Sequence, residues 1–268
     1  MSRLIRSTRY GSYIAVIVIA LAVTAAPAAS QTLLQPDSPA TESRSPAPGA
    51  VWVSPSFAGL FENTFGDFRR LPSKYTATIL AIGAAAAIAG HNADRSVTTT
   101  FSGSRRLGGA LGAGQTLGSM QFQLGSAFAT YAVGRALGRR HVTAIGADLV
   151  RATLVAQTLT TAVKLSVRRT RPDGTPLSFP SGHTSVSFAT ATVLQRHLGW
   201  KAGVPAYAVA SYVAASRIQD KRHFLSDVAF GAAIGIVSGR TVTFGGRDHR
   251  VTLAPAATPA GGGVSLTW

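Results

Sequence analysis

The chain contains no cysteine, which excludes a disulfide framework and thiolate chemistry. Acidic residues are also scarce: 10 Asp and Glu stand against 26 Lys and Arg, giving a formal net charge of +16. This imbalance predicts an anionic partner, and charge alone does not choose among phosphate esters, lipid headgroups and nucleic acid. Only 13% of residues are charged and 46% are hydrophobic, which excludes a disordered chain and suits tightly packed helices.

The sequence also lacks a Walker-type glycine loop and an internal repeat. Its apolar helical segments lie near 75–90, 119–137, 142–166, 184–198, 203–216 and 225–239. Most of them span about 14–16 residues, or roughly 21–24 Å, which is short for a hydrocarbon core about 30 Å thick. The longest one also carries Asp148, Arg151 and Gln157. These features favour a water-exposed or peripherally attached bundle over a six-span membrane protein.

Residues 1–30 have the pattern of a secretory signal peptide. Three arginines precede an apolar run from 13 to 23, and small residues suitable for cleavage follow at 26–30. The alternative is a retained N-terminal anchor helix, although the run is shorter than the roughly 20 residues of a usual span. Residues 31–50 are rich in Pro, Ser, Thr and Ala, and we interpret them as a flexible linker. The signal predicts an exported, periplasmic protein.

Residues 51–74 form an amphipathic aromatic segment ahead of the bundle. Four phenylalanines recur at spacings of four, four and three, which predicts a helix with an aromatic stripe that ends near Pro72. They are Phe57, Phe61, Phe65 and Phe68. The plainer interpretation is a helix docked on the core. The alternative is a helix lying on a membrane surface, which the nearby Arg69, Arg70 and Lys74 would favour.

The expected fold is all-α, an antiparallel helical bundle of about six core helices over residues 75–240. The Gly-rich, basic stretch from Gly103 to Gly118 is interpreted as loop with a short helix. From 241 to 268 apolar and polar residues alternate between Gly-rich turns, as in Val242-Thr243-Phe244. We therefore predict a short β-hairpin-like C-terminal tail.

Three clusters of basic, histidine and carboxylate side chains lie between residues 164 and 227. They are Lys164 with Arg171-Pro172, then Pro180-Ser181-Gly182-His183, then Ser216-Arg217 with His223 and Asp227. The first cluster closes the third apolar segment, the second opens the fourth, and the third spans the turn between the fifth and sixth. Because successive short-looped helices run antiparallel, all three clusters should meet at one end of the bundle. The sequence therefore predicts a single pocket there.

The basic groups of this pocket are suited to phosphate binding. Lys164, Arg171 and Arg217 supply cations, and the arginines can hold phosphate oxygens in bidentate forks. The backbone N–H groups of Ser181 and Gly182 precede a helix and would point at an anion, and Gly182 lets the backbone approach closely. Phosphoryl transfer requires this kind of positioning and charge neutralisation.

Two histidines can divide the covalent and acid–base roles. His223 and Asp227 are four residues apart and would share a helical face. The carboxylate would accept a proton from one imidazole nitrogen and leave the other free to attack phosphorus. His183 would protonate the leaving oxygen and then activate water. This scheme predicts a phosphohistidine intermediate and requires no metal, because the basic cluster already stabilises the charge.

Each piece alone has a plainer explanation. A lone Ser-Gly-His is usually a helix cap, and a His/Asp pair four residues apart is usually an ordinary hydrogen bond. Four further basic residues are interpreted as solvated charge rather than catalytic groups, namely Arg168, Arg169, Lys221 and Arg222. The combination of three clusters at fixed local spacings is much more specific than any one of them.

Together the clusters resemble the three signature motifs of the type 2 phosphatidic acid phosphatase and vanadium haloperoxidase superfamily. Lys164 and Arg171-Pro172 meet the first motif, residues 180–183 meet the second, and the residues from Ser216 to Asp227 meet the third. The resemblance implies an all-α bundle over about 75–240 and a metal-free, acid-phosphatase-type mechanism. It also implies that His223 is the nucleophile and His183 the general acid/base. It covers neither the linker nor the tail.

The predicted function is an exported phosphatase for phosphate monoesters or diphosphates, with lipid phosphates among the substrates and a membrane surface as a further partner. It needs no cofactor, and vanadate would act as an inhibitor. In the alternative haloperoxidase reading vanadate is a prosthetic group, but that branch generally has much longer chains. A non-catalytic protein that binds anionic lipid, and a metallohydrolase, are further alternatives. The chain has no nucleic-acid motif, so we expect no nucleic-acid partner, and its oligomeric state stays unknown.

Overall fold

The computed structural model describes residues 56–102, 104–245, 252–258 and 261–267. Its helices are α1 (Phe57–Arg70), α2 (Lys74–His91), α3 (Asp94–Ser102), α4 (Arg105–Leu111), α5 (Gly114–Leu117), α6 (Met120–Ala136), α7 (Arg140–Val167), α8 (Gly182–Leu198), α9 (Trp200–Gln219) and α10 (Leu225–Gly245). Two strands follow, β1 (Thr252–Thr258) and β2 (Gly261–Thr267). The predicted signal peptide and linker lie outside the described residues.

The predicted apolar segments all lie in long helices, α2 and α6 to α10, and the all-α prediction is confirmed. Serine side chains define several of the helix starts, because each accepts a hydrogen bond from a free N–H of the first turn. Ser73 does this for α2, Ser119 for α6 and Ser181 for α8. Helix α8 packs against α7, α9 and α10, so the element that begins at the Ser-Gly-His cluster lies at the centre of the bundle.

A stripe of glycines allows α10 to approach α8 closely. A Cβ at Gly231, Gly235 or Gly239 would come within 2.7, 2.3 or 2.6 Å of atoms of α8 or of Ser181 just before it. Since these glycines recur every fourth residue, they form one face of α10. The close approach brings the start of α10, which carries Asp227, against the start of α8.

Helix α1 is present as predicted, but it docks on α7 through an unexpected face. Leu60 and Asp67 are buried, whereas Phe57 and Phe65 are 61% and 64% exposed. The reason is an ion pair across the interface, in which the Arg151 guanidinium donates two hydrogen bonds of 2.8 Å to the Asp67 carboxylate. Docking on the core is therefore observed, but most of the aromatic stripe faces outward.

Two other boundaries differ from the sequence-based expectation. The segment Val242-Thr243-Phe244, predicted as a strand, lies in the last turns of α10, because Val242 is buried in the same apolar core as Val150, Val186 and Val193. The predicted tail therefore begins too early at 241. The Gly-rich stretch before α6 contains two short helices, α4 and α5, rather than one.

The two strands form an antiparallel pair in which Thr252 lies opposite Thr267 and Thr258 lies opposite Gly261.

Two of the described helices are long and apolar enough to cross a membrane, α7 and residues 225–243 of α10. Helices α1 and α2 meet at 77°, and the pair would count as a third candidate if it formed one broken span.

Candidate active site

The three predicted clusters meet at one end of the bundle and are joined by the backbone. The Ser181 N–H donates to the Asp227 carbonyl at 3.0 Å, which links the second cluster to the third. The Asp173 N–H donates to the Lys221 carbonyl at 3.1 Å, and the Arg222 side chain donates to the Asp173 carboxylate at 2.9 Å. These bonds attach the loop after α7 to the loop before α10, so residues from three chain segments face one site.

His223 and Asp227 are adjacent and buried, as the four-residue spacing predicted. The His223 Nδ1 lies 3.7 Å from the Asp227 Oδ2, which is longer than a hydrogen bond, and this nitrogen is buried without a partner. Burial lowers the pKa of His223, so the imidazole is held neutral. A neutral imidazole is the form that can act as a nucleophile.

The Asp227 carboxylate is held by donors on both oxygens. Its Oδ2 accepts from the Ser178 hydroxyl and from the Phe224 N–H at 2.8 Å, and its Oδ1 accepts from the Arg169 guanidinium at 2.8 Å. Burial alone would raise the pKa of Asp227, but these donors together with His223 outweigh it and lower the pKa. The carboxylate is therefore ionised and fixed in orientation.

Lys164 lies beside this pair and is tied to the loop before α8. Its Nζ donates to the carbonyls of Leu177 and Ser178 at 2.6 and 3.2 Å. Burial, reinforced by the positive charge of Arg171 and opposed by Asp227, lowers the pKa of Lys164 to about 8. An ammonium group has three protons, so one remains for an anion.

The two predicted phosphate-binding arginines differ in how many of their side-chain hydrogen bonds are already made within the protein. The Arg171 Nε is buried without a hydrogen-bond partner. Arg217 is almost fully buried, and its guanidinium contacts the Ser216 hydroxyl at 3.3 Å and forms an ion pair with Asp220. Arg171 is thus the readier of the two to receive an anion.

The Pro-Ser-Gly-His cluster forms the N-terminus of α8. The Ser181 hydroxyl accepts from the Thr184 N–H at 3.4 Å, so this residue is a helix cap, as its plainer interpretation expected. A Cβ at Gly182 would meet no atom closer than 3.7 Å, so internal packing does not require a glycine there. The prediction that a glycine at position 182 allows a ligand to approach the backbone closely stays a prediction.

His183 lies at the same end of α8 and is mostly buried. Burial, followed by the charges of Arg217, His223 and Arg171, lowers the pKa of His183 to about 4, although a hydrogen bond to the Gln115 backbone acts in the opposite direction. The imidazole is therefore neutral near pH 7. A bound phosphate dianion would raise this pKa, because an adjacent negative charge favours the protonated form.

Three polar residues of the site were not identified from the sequence, namely Arg169, Ser178 and Asp94. Arg169 was interpreted as solvated charge, and this was wrong, because it donates to both Asp227 and Asp94 at 2.8 Å. Asp94 is 75 residues from Arg169 in the chain, so no local spacing connects them. Arg222 is partly exposed and pairs with Asp173, while Arg168 and Lys221 are exposed, as expected for solvated charge.

The described residues include no group of three or more His, Cys, Asp or Glu side chains placed to hold a metal ion. The site combines a buried His–Asp pair with a convergent basic cluster at one end of the helical bundle. Residues 174–245 match the family model described as the PAP2 superfamily. The match includes the second and third clusters, whereas Lys164 and Arg171 precede it.

Two curated relatives align with short parts of the chain. One is a lipid A 1-phosphatase from Porphyromonas gingivalis, 48% identical over 82 residues, which are 29% of this chain and 18% of the relative. The other is a probable diacylglycerol pyrophosphate phosphatase 1 from Schizosaccharomyces pombe, 42% identical over 72 residues, 22% of this chain and 26% of the relative. The chain thus matches about a quarter or less of the length of these relatives.

A solved structure supports the fold over most of the chain. It is a transmembrane PAP2 type phosphatidylglycerolphosphate phosphatase from Bacillus subtilis, with a TM-score of 0.52 and 19% sequence identity. The similarity covers 73% of this chain and 98% of that structure. At this identity the likeness establishes the helical fold.

Proposed function

We propose that this chain is a metal-independent phosphatase that hydrolyses phosphate monoesters or diphosphates through a phosphohistidine on His223. The observation that carries the proposal is the pair of buried nitrogens without partners, the Arg171 Nε and the His223 Nδ1, beside the partly satisfied Lys164. Buried polar atoms in native proteins almost always have partners. A bound phosphate would engage Arg171, and a small rotation of the imidazole would bring His223 within hydrogen-bond reach of Asp227.

In the first step, the His223 Nε2 attacks phosphorus and the bond from phosphorus to the leaving oxygen breaks. Asp227 stabilises the imidazolium that forms, because its carboxylate lies beside the opposite nitrogen, Nδ1. His183, protonated once the phosphate dianion is bound, gives its proton to the leaving oxygen. Lys164, Arg171 and the N-terminus of α8 stabilise charge on the three equatorial oxygens.

In the second step, water replaces the histidine. The now neutral His183 takes a proton from water as its oxygen attacks phosphorus, and the bond between phosphorus and His223 breaks. Inorganic phosphate leaves and His223 becomes neutral again. His183 carries the proton taken from water and loses it once the phosphate has left. No external oxidant or metal enters either step, so a chelator should leave the rate unchanged.

A lipid-linked phosphate is the substrate class that we favour, and an apolar groove that begins one helical turn after His183, at Ser187, supports it. The groove has a volume of about 250 Å³ and lies between α6, α8 and α9. Its α8 wall is formed by residues on the His183 face of the helix, at steps of 4, 7, 8, 11 and 15, namely Ser187, Thr190, Ala191, Leu194 and Leu198. From Ser187 to Leu198 this wall runs roughly 16 Å at 1.5 Å per residue. A slender alkyl chain attached to a phosphate at His183 would fit along it.

The curated relatives point to the same substrate class, since their names describe phosphatases of lipid A and of diacylglycerol pyrophosphate. Export and attachment to a membrane surface complete the proposal. The basic N-terminus with its apolar run motivates export, and the exposed Phe57 and Phe65 on α1 motivate contact with a membrane surface.

The test is phosphate release by the purified chain with a chelator present, on a soluble aryl phosphate and on a polyprenyl diphosphate in detergent. We expect release from both, with a higher kcat/KM for the lipid, and no release by His223→Asn. His141→Gln is the matched control, because His141 is exposed and far from the site, and it should retain full activity. Full activity of His223→Asn, or release that the chelator abolishes, would contradict the proposal.

A further inference from the structure

A buried charge cluster behind the His–Asp pair includes an arginine that the mechanism above does not use. The Arg169 guanidinium donates to the Asp227 Oδ1 and the Asp94 Oδ2, each at 2.8 Å, and to the Ser226 hydroxyl at 2.7 Å. Its Cζ lies 4.2 Å from the centroid of the Phe224 ring, in cation–π contact. Four contacts on one side chain that is only 21% exposed fix the position of the guanidinium.

Asp94 holds this arginine and also the first turn of α10. It is almost fully buried at the start of α3, and its Oδ1 accepts from the Ser226 N–H at 2.9 Å. Its Oδ2 accepts from the Ser226 hydroxyl at 2.7 Å as well as from Arg169. The first N–H groups of a helix have no partner within the helix, so Asp94 caps α10 from a distant part of the chain. Ser226 immediately precedes Asp227.

Both ends of the Asp227 carboxylate are therefore fixed. Arg169 holds Oδ1, while the Phe224 N–H and the Ser178 hydroxyl hold Oδ2, the oxygen nearest to the His223 Nδ1. Rotation of the Asp227 carboxylate would break its hydrogen bond to Arg169, because the same guanidinium is held in place by its second hydrogen bond, to Asp94. Because both terminal nitrogens of Arg169 already bind carboxylates, the guanidinium is placed to act on Asp227 rather than on a phosphate.

We propose that Arg169, held by Asp94, is a positioning residue that orients Asp227 toward His223. The proposal rests on the proposed function only for its effect on turnover, since the geometry of the pair exists without substrate. Loss of Arg169 would free the carboxylate to rotate and leave Asp94 and Asp227 as two buried like charges. The orientation of the imidazole would then be less well defined, and attack on phosphorus would be slower.

The experiment compares Arg169→Gln, Arg169→Lys and Asp94→Asn with the parent chain. Arg168→Gln is the matched control, since it removes the same charge one residue away, where the exposed side chain bonds only its own helix end, the Leu165 carbonyl at 2.9 Å. We expect kcat to fall about 10- to 100-fold in Arg169→Gln, as for partners of a ligating or catalytic group elsewhere. KM should stay within about threefold, because no contact with substrate is removed.

The other two variants show whether a loss of kcat comes from the shape of the Arg169 guanidinium, from its charge, or from a failure to fold. Arg169→Lys keeps the charge but a single ammonium cannot bridge both carboxylates in the same fork, so it should recover only part of the lost kcat. Asp94→Asn keeps the size of the side chain and removes its charge. If Arg169→Gln fails to fold, the kcat of Asp94→Asn tests the positioning role of Arg169. A kcat within about twofold of the parent in folded Arg169→Gln or Asp94→Asn, or full activity of Arg169→Lys, would overturn the proposal.

A second readout does not depend on turnover. Nitrogen NMR of the His223 imidazole should show a shifted titration in Arg169→Gln and an unchanged one in Arg168→Gln. If the parent chain releases no phosphate, the proposed function fails, and this titration alone decides the role of Arg169. An identical His223 titration in the parent and Arg169→Gln would overturn that role.

Discussion

Two arginines with little solvent exposure lie at opposite ends of the bundle, and each bridges two carboxylates. At the end that holds the proposed active site, called the catalytic end below, Arg169 joins Asp227 to Asp94. At the other end, called the far end, Arg151 joins Asp67 to Asp148 at 2.8 and 3.0 Å, and these three residues form the far cluster. In the region that the structure describes, the Arg171 Nε and the His223 Nδ1 at the catalytic end are buried without hydrogen-bond partners. No buried side-chain atom of Arg151, Asp67 or Asp148 lacks a partner there. An arginine that bridges two carboxylates is thus part of a fully hydrogen-bonded cluster at the far end. At the catalytic end the same arrangement lies next to polar atoms that lack hydrogen-bond partners.

The far cluster is complete because its members satisfy one another. His197 at the end of α8 contacts the Asp148 carboxylate at 2.8 Å, and the Arg70 side chain lies 3.4 Å from Asp67. Burial raises the pKa of Asp67, although the hydrogen bonds and charge of Arg151 oppose the shift. This cluster ties α1 to α7 through the Arg151–Asp67 ion pair. The comparison predicts that changes there affect stability, whereas changes at the catalytic end affect turnover.

The largest expected effect is that of Arg151→Gln, which leaves two buried carboxylates without their cation. We expect a loss of about 3–5 kcal/mol in the free energy of unfolding, with the kcat of the folded fraction unchanged. Urea unfolding and activity per folded molecule measure the two quantities. Arg70→Gln is the control, because its side chain is 43% exposed, and it should cost less than about 1 kcal/mol. A drop in kcat without loss of stability in Arg151→Gln would break the comparison.

The next effect is a pH dependence that originates at the catalytic end. The pKa of His183 is about 4 when folded, below its ordinary value, so the unfolded chain binds a proton that the folded chain does not. Stability is therefore lost as pH falls from about 6.5 toward 4, by about 2 kcal/mol at pH 5 for this group. Urea unfolding of His183→Asn should show that much less acid destabilisation between pH 7 and pH 5 than the parent.

An anion sharpens this test. Inorganic phosphate bound beside His183 should raise the pKa of the imidazole and reduce the acid destabilisation of the parent chain, but not that of His183→Asn. His141→Gln serves as control and should follow the parent. Equal pH dependence in the parent and His183→Asn would contradict a depressed pKa at this position.

A smaller effect concerns the groove, whose α8 wall runs from Ser187, one turn after His183, to Leu198. Ala206→Phe places a ring in the groove, whereas Ala208→Phe adds the same ring at an exposed position of the same helix outside the groove. The first should lower kcat/KM for a long-chain lipid phosphate roughly tenfold, the cost of about two buried methylenes at ~0.8 kcal/mol each. It should leave the soluble aryl phosphate unaffected. Equal losses on both substrates, or in both variants, would refute an alkyl-chain groove.

The smallest effect is expected at Ser187, one turn from His183. Its hydroxyl is buried without a partner and lines the groove. Ser187→Ala should therefore raise the free energy of unfolding by about 1 kcal/mol in the absence of ligand, because an unsatisfied polar group is removed. Thermal unfolding with and without a lipid phosphate measures it. Thr184→Val is the contrasting variant, since the Thr184 hydroxyl donates to Ser181 at 3.0 Å, and it should be destabilising. Destabilisation by Ser187→Ala would show that the hydroxyl is satisfied.

Much of this molecule could be predicted from its sequence because the signals are local. Apolar periodicity identified the long helices, and the clusters from Lys164 to Asp227 have internal spacings that a helix start or a turn converts directly into geometry. Antiparallel helix order then brought the clusters together. The last turns of α10 were missed because Val242-Thr243-Phe244 alternates like a strand, while burial of Val242 in the core follows the helical period.

The remainder depends on contacts between distant residues. Arg151 and Asp67 are 84 residues apart, and their pairing, rather than the aromatic stripe, decides which face of α1 is buried. Arg169 and Asp94 are 75 residues apart, so the support behind Asp227 has no local signature. Spacing within a segment predicted the groups that face a phosphate, but not the groups that hold them in place.

The most direct test of the catalytic end is detection of phosphate on His223 itself. The chain is mixed with an aryl phosphate, quenched at alkaline pH where phosphohistidine survives, and digested for mass spectrometry. We expect phosphate on His223 in the parent and none in His223→Asn. Phosphate release without any labelled His223, or labelling of another residue instead, would contradict a histidine nucleophile at this site.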